Sequence, residues 1–280
     1  MADVHADELG REARAAGRRA RNSTWVDRVA RFGLLAKAAS YGLVAVLALG
    51  LAFGAGGKAT SREGALATIA DEGWGAAVLV VLALGFAGYA LWRLLQALFD
   101  GEDEGAKGLA KRAGYLGRAV IYGALTFGAI RLLAGSGGGG SQTEDARQAT
   151  STVLDWPAGR WLVAGVGLGL AAAGVVNGYR AVTQKFEERW KTGAMSRAER
   201  TWSARIGTVG LLARMVVFGL VGAFLVKAAA EYDPQEAIGL DGALRKLAAQ
   251  AYGAWLLGAV AAGLLAYGVH CLVEARYRDV

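Results

Sequence analysis

Near its amino end the chain carries Thr24-Trp25, Arg28, Gly33-Leu34-Leu35-Ala36-Lys37 and Tyr41-Gly42. The same pattern returns with every spacing kept as Thr201-Trp202, Arg205, Gly210-Leu211-Leu212-Ala213-Arg214 and Phe218-Gly219. A fainter copy between them keeps the glycine, basic, aromatic and glycine positions as Gly114, Arg118 and Tyr122-Gly123. Such a chain folds as three copies of one unit, running in the same direction and packed on one another.

The unit is a membrane hairpin. Of the 280 residues, 54% are hydrophobic and only two are proline, more apolar surface than a water-soluble domain of this size can bury. Six stretches, near 32–54, 74–99, 113–134, 159–182, 206–229 and 253–273, are long enough to cross about 30 Å of hydrocarbon as helices of roughly 20 residues. The expected fold is therefore an all-α integral membrane protein. Its six transmembrane helices form three parallel tandem hairpin repeats in a pseudo-threefold bundle: a basic tail over 1–24, then repeats over 25–100, 101–190 and 191–280. Arginines at 11, 14, 18, 19, 21 and 28 leave no apolar core before residue 32, so the first span reads as an uncleaved anchor.

A net charge of +7 would suit a nucleic-acid binder, but its distribution points elsewhere. Lys and Arg crowd the tail, the 99–112 and 183–205 loops and the carboxyl end. Segments 55–73, 135–158 and 230–252 hold only Lys58, Arg62, Arg147, Arg245 and Lys246 against ten acids. The positive-inside rule puts both termini in the cytoplasm, and the expected location is a bacterial plasma membrane with no nucleic-acid partner. The basic face suits anionic lipid.

Each acidic outer segment contains a short apolar period: Leu66 and Ile69, Val153 and Leu154, Leu244 and Leu247. A short interfacial helix on the outer leaflet, ended by a glycine, is expected in each repeat. Residues 1–22 read as a membrane-skimming tail, the glycine-rich run 135–141 as a flexible linker, and Lys185 to Arg189 as a solvated helix continuing the fourth span.

Lys37, Arg118 and Arg214 stand one per repeat, a turn or two inside the cytoplasmic end of the first helix of each hairpin, with no acid in any span to answer them. Charge in a span is costly and faces a cavity or a partner, or snorkels to the headgroups. The three are thus either a positive ring that attracts anions or anionic headgroups, or interfacial anchors. Tyr41, Tyr122 and Phe218, one turn deeper, read as packing or lining residues. Arg131 and Lys227 read as outer-interface snorkels, and His270 as an interfacial hydrogen-bonder. Gly165 with Gly169, and Gly174 with Gly178, are small-residue pairs that permit close helix approach.

No reaction is legible. Gly54-Ala55-Gly56-Gly57-Lys58-Ala59-Thr60 resembles a phosphate loop but has Ala59 where Ser or Thr must follow the lysine. One cysteine, Cys271, and two histidines make no metal or nucleophile framework, so no catalytic residue, metal or cofactor is expected.

The repeated Gly33, Lys37, Tyr41-Gly42 signature and exits such as Tyr89-Ala90-Leu91-Trp92-Arg93 resemble the bacterial membrane family known as domain of unknown function 1206, over roughly residues 25–280. The resemblance implies six spans in a bacterial plasma membrane and lends no activity. The leading functional expectation is a non-enzymatic accessory or scaffold protein that binds anionic lipid or a membrane partner, which includes a second copy of the chain. The alternative is a channel or carrier for small anions.

Overall fold

The computed structural model describes residues 24–54, 62–70, 72–99, 105–135 and 141–278. The readings of the amino-terminal tail, the phosphate-loop-like run and the glycine linker fall outside these residues.

Six long helices carry the apolar stretches: α1 (Thr24–Ala52), α3 (Gly75–Phe99), α4 (Gly105–Leu133), α6 (Gly159–Thr183), α7 (Arg197–Glu231) and α9 (Gly253–Tyr277). Three short ones, α2 (Arg62–Ala70), α5 (Gln142–Leu154) and α8 (Leu240–Ala248), join the two long helices of each repeat. No strand occurs among the described residues, so the chain is an all-helical protein with six helices fit to cross a membrane. The first helix of each hairpin begins well before its apolar run. In α7 the extension is fixed by a capping box in which Ser196 accepts from the Glu199 amide and Glu199 accepts from the Ser196 amide.

The most extensive contacts join neighbouring repeats: α3 with α4, α6 with α7, and α9 with α1. Within repeats, α1 packs on α3 and α7 on α9, whereas α4 and α6 do not pack on each other. The long helices therefore follow one another as α4, α3, α1, α9, α7, α6, an incomplete ring open between the two members of the middle hairpin. Those two are also the least buried of the six.

Glycine decides where the backbones meet. A Cβ on Gly268 would lie 3.1 Å from the Ala38 carbonyl oxygen and 3.4 Å from the Gly42 amide. One on Gly174 would lie 3.1 Å from the Met215 carbonyl oxygen and 3.3 Å from the Gly219 amide. The repeated Tyr41-Gly42 and Phe218-Gly219 pairs thus mark where one repeat crosses the next. Of the fourth-span glycines, Gly178 meets Met215, while Gly165 and Gly169 have nothing opposite them.

Two of the short helices, α2 and α8, bury part of their length against the bundle, while α5 keeps much of its surface exposed. Ala65 and Leu66 on α2 and residues 240 to 244 on α8 are buried. The turn from α5 into α6, and that from α8 into α9, requires glycine, because a Cβ on Gly159 or Gly253 would collide with the carbonyl oxygen of Val153 or Ala248.

On the side carrying the chain ends, the segment after α6 is not a continuing helix. Gln184 turns the chain at φ 53, a single 3₁₀ turn (Glu187–Arg189) follows, and Phe186 and Trp190 are buried. The Lys191 amide donates to the Tyr277 carbonyl, and Trp190 bridges to Arg278, which ties this segment to the end of α9.

Candidate functional site

A cavity of about 240 Å³ lies among α1, α2, α4, α5, α6, α7, α8 and α9. Tyr41, Arg62, Gln142 and Arg214 supply its polar wall, and Ile121, Leu170, Phe218 and Leu264 stand among its apolar ones. All three short helices reach it at their amino ends, through Arg62 on α2, Gln142 and Ala146 on α5, and Leu240 on α8.

Arg214 stands at the middle of α7, seventeen residues from either end. Lys37 and Arg118 are thirteen residues into α1 and α4, with fifteen residues beyond them. Because these helices start earlier than their apolar runs, the basic residues sit near mid-helix, not close to the cytoplasmic end. Lys37 is 7% exposed, with Nζ 5.0 Å from the centre of the Tyr267 ring and 5.5 Å from that of Tyr89. Arg214 donates through Nη1 to the Tyr267 hydroxyl at 2.7 Å and lies over the rings of Tyr267 and Phe218, 4.5 Å from each; its buried Nε has no acceptor. Both side chains point into the bundle, so the snorkelling reading does not describe them. Arg118 differs in being exposed, yet it lies within electrostatic range of Arg93, Tyr89, Arg214 and Tyr267.

Tyr41 and Tyr122 are buried as lining and packing residues: Tyr41 meets Tyr267 edge-on at 4.9 Å, and Tyr122 lies 4.4 Å from Tyr89. Each contact crosses from one repeat to the next. Phe218 lines the cavity beside Arg214.

Two buried cations escape a reading of the sequence. Arg62 falls in an acidic outer segment that reads as a loop, but it is 8% exposed, with its guanidinium 5.4 Å from the rings of both Tyr41 and Tyr122. Arg93 is 4% exposed, donates to the Tyr89 hydroxyl at 2.8 Å and to Gln96 Oε1 at 2.6 Å, and stacks 4.1 Å from the Trp92 ring. Only its place in the aromatic, basic exit Tyr89-Ala90-Leu91-Trp92-Arg93 hints at this role.

An acid does answer these cations. Helix α9 runs on past its apolar stretch, and Glu274 pairs with Arg278 at 3.1 Å within electrostatic range of Lys37 and Arg93. The second deeply buried acid, Asp241, is 1% exposed and is occupied by α5: it accepts from the Thr143 amide at 3.0 Å, the Thr143 hydroxyl at 2.9 Å and the Ser141 hydroxyl at 2.5 Å. In return Gln142 Oε1 accepts from the Leu240 amide, and the Thr143 hydroxyl oxygen from the Gly239 and Gly242 amides. The amino ends of α5 and α8 thus cap each other. Among the described residues, Arg62 and Arg214 line the cavity together, with Tyr41 and Gln142 as the other polar groups of its wall.

His270 is 2% exposed and stacks among Phe186, Trp190 and Tyr267 with centroids 5.2 to 5.9 Å away. Away from the chain ends, Lys227 pairs with Glu236 at 2.9 Å. No cluster of three or more potential metal ligands is present among the described residues.

The Domain of Unknown Function (DUF1206) family matches the chain three times, at residues 32–100, 113–184 and 209–278. Uncharacterized protein YxxB of Bacillus subtilis (strain 168) is 32% identical over 258 residues, which span 91% of this chain and 92% of the relative. No solved structure matches the chain.

Proposed function

We propose, for a chain that belongs to the Domain of Unknown Function (DUF1206) family, a non-enzymatic role in holding an anionic group at the centre of a bacterial plasma-membrane bundle, with both termini cytoplasmic. The observation that carries this reading is Arg62 and Arg214 together in the wall of one cavity. A cation is tolerated at membrane depth where it faces a partner of opposite sign, and here that partner is an anionic headgroup. The three inter-repeat contacts and the three short helices meeting at one cavity support a pseudo-threefold arrangement around it.

The test is native mass spectrometry of the full chain released from vesicles of phosphatidylcholine and phosphatidylglycerol in equal parts. Arg214→Gln keeps a polar side chain beside Tyr267 and removes the charge, and it should lower retained phosphatidylglycerol at least tenfold. Retention equal to wild type would overturn the reading.

A second reading, passage of small anions, draws on one feature: Arg62 and Arg214 stand together in the wall of a central cavity. Chloride flux into vesicles under a potential decides it. Flux above that of empty vesicles favours passage, and its absence leaves the binding role.

A further inference from the structure

We propose that the gap between α4 and α6 is a lateral portal, and that the ligand is an acyl-chain lipid whose anionic headgroup enters the cavity from the bilayer. This rests on the anion-binding reading and adds the route and the class of ligand.

Ile121 of α4 and Leu170 of α6 stand on the two sides of the gap, and both line the cavity. Ile121 is also 44% exposed, so it belongs to the mouth. The wall of this cavity sets apolar Ile121, Ala146 and Leu170 beside Arg62, Arg214 and Gln142. A lipid has the same two kinds of part. Beside these residues α4 exposes Val120 and α6 exposes Val166, apolar surface for chains that stay in the hydrocarbon. A volume of about 240 Å³ lies below the roughly 300–1,000 Å³ typical of whole small-molecule pockets, so it suits a headgroup and excludes a complete lipid.

The gap does not come from a lost helix-packing surface. Gly33 and Gly210 press on the backbones of Tyr89 and Tyr267, where a Cβ would lie 2.9 and 2.6 Å from Cα. Gly85 and Gly263, each ten residues into its helix, press on Ala36 and Ala213. The middle repeat keeps both glycines, as Gly114 and as Gly169 ten residues into α6, and among the described residues neither has an atom opposite within 4 Å. This seam carries the surfaces of a closed hairpin and holds them apart, which leaves room for a chain.

Ile121→Trp with Leu170→Trp fills the mouth without touching an arginine. Two probes are applied to full-length wild type and variant: phosphatidylglycerol retained from equal-part vesicles, read by native mass spectrometry, and inorganic phosphate binding in detergent, read by calorimetry. The portal predicts at least a tenfold loss of lipid from the variant with phosphate binding unchanged. Lipid retained as in wild type overturns the portal. Phosphate bound by wild type without lipid retention leaves the anion site standing and removes the portal, while neither probe bound by wild type removes the anion site itself. If the double variant does not elute as a folded species, the exposed Ile121→Trp alone is assayed for the rate of lipid exchange. A rate equal to that of wild type again overturns the portal.

Discussion

In the first and third repeats the two long helices meet through glycine, Gly33 against Tyr89 and Gly210 against Tyr267. In the middle repeat Gly114 and Gly169 face nothing. The two kinds of seam also differ at one position. Tyr89 and Tyr267 lie fourteen residues into α3 and α9, and the basic residue of the same hairpin sits over each ring, Lys37 at 5.5 Å and Arg214 at 4.5 Å. Fourteen residues into α6 stands Ala173, which offers Arg118 no ring. An exposed cation–aromatic contact is worth about 0.5–1 kcal/mol and a desolvated one about 2 or more. The middle hairpin lacks this contact, and there α4 goes to α3 while α6 goes to α7. Small-residue spacing permits a helix contact and does not by itself form one.

The largest effect that can break this comparison is a bulky residue in a closed seam. Gly210→Leu would drive carbon into the Tyr267 backbone, where a Cβ alone lies 2.6 Å from both N and Cα. We expect a loss of about 3 kcal/mol, the upper end of the usual overpacking cost, seen as a lower melting temperature in detergent. Gly114→Leu, at the corresponding place of the open hairpin, should melt like wild type. Equal destabilisation by the two would mean that the middle seam is closed as well.

Asp241 offers a second test, because it anchors the middle repeat to the third. Its carboxylate accepts three hydrogen bonds from Ser141 and Thr143 in a buried setting. Asp241→Ala leaves those donors without their acceptor, at a cost of about 1–3 kcal/mol. Amide exchange should quicken at the amino ends of α5 and α8 together, and exchange confined to α8 would refute the mutual cap. Arg62 begins the corresponding helix of the first repeat and reaches Tyr41 and Tyr122, so α2 should be unaffected.

These contrasts also locate what a sequence can say. Six helices follow from runs of Ala, Leu, Val and Gly, and the three copies follow from Gly33, Lys37 and Tyr41 with their counterparts, since both properties are local and periodic. The site was half legible. Lys37 and Arg214 stood out as charges in apolar runs, whereas Arg62 did not, because an arginine in an acidic outer segment is indistinguishable from a solvated one until the helix it opens is seen inside the bundle. Leu66 and Leu244 gave the right short helices, but period alone cannot tell a helix resting on lipid from one packed in protein. The acid Glu274 was passed over because it lies just past the apolar stretch that marks the last span. Which helices neighbour each other depends on contacts such as Lys37 with Tyr267, more than two hundred positions apart, and no local pattern records them.

The smallest effect reverses sign between the two kinds of seam. Replacing a helix-interior glycine by alanine favours the helix by roughly 0.5–1 kcal/mol when the new methyl meets nothing. Gly114→Ala and Gly169→Ala meet that condition, each having open space where the Cβ would go. Gly33→Ala does not: its Cβ would lie 2.6 Å from Tyr89 Cβ and 2.9 Å from Tyr89 Cα. The two middle-repeat variants should therefore melt slightly above wild type and Gly33→Ala below it. Adding phosphatidylglycerol sharpens the test. If a lipid chain occupies the gap, the new methyls crowd it, and the gain from Gly114→Ala and Gly169→Ala should shrink in lipid while the Gly33→Ala loss stays the same. A gain that is equal with and without lipid would mean that the seam holds no chain.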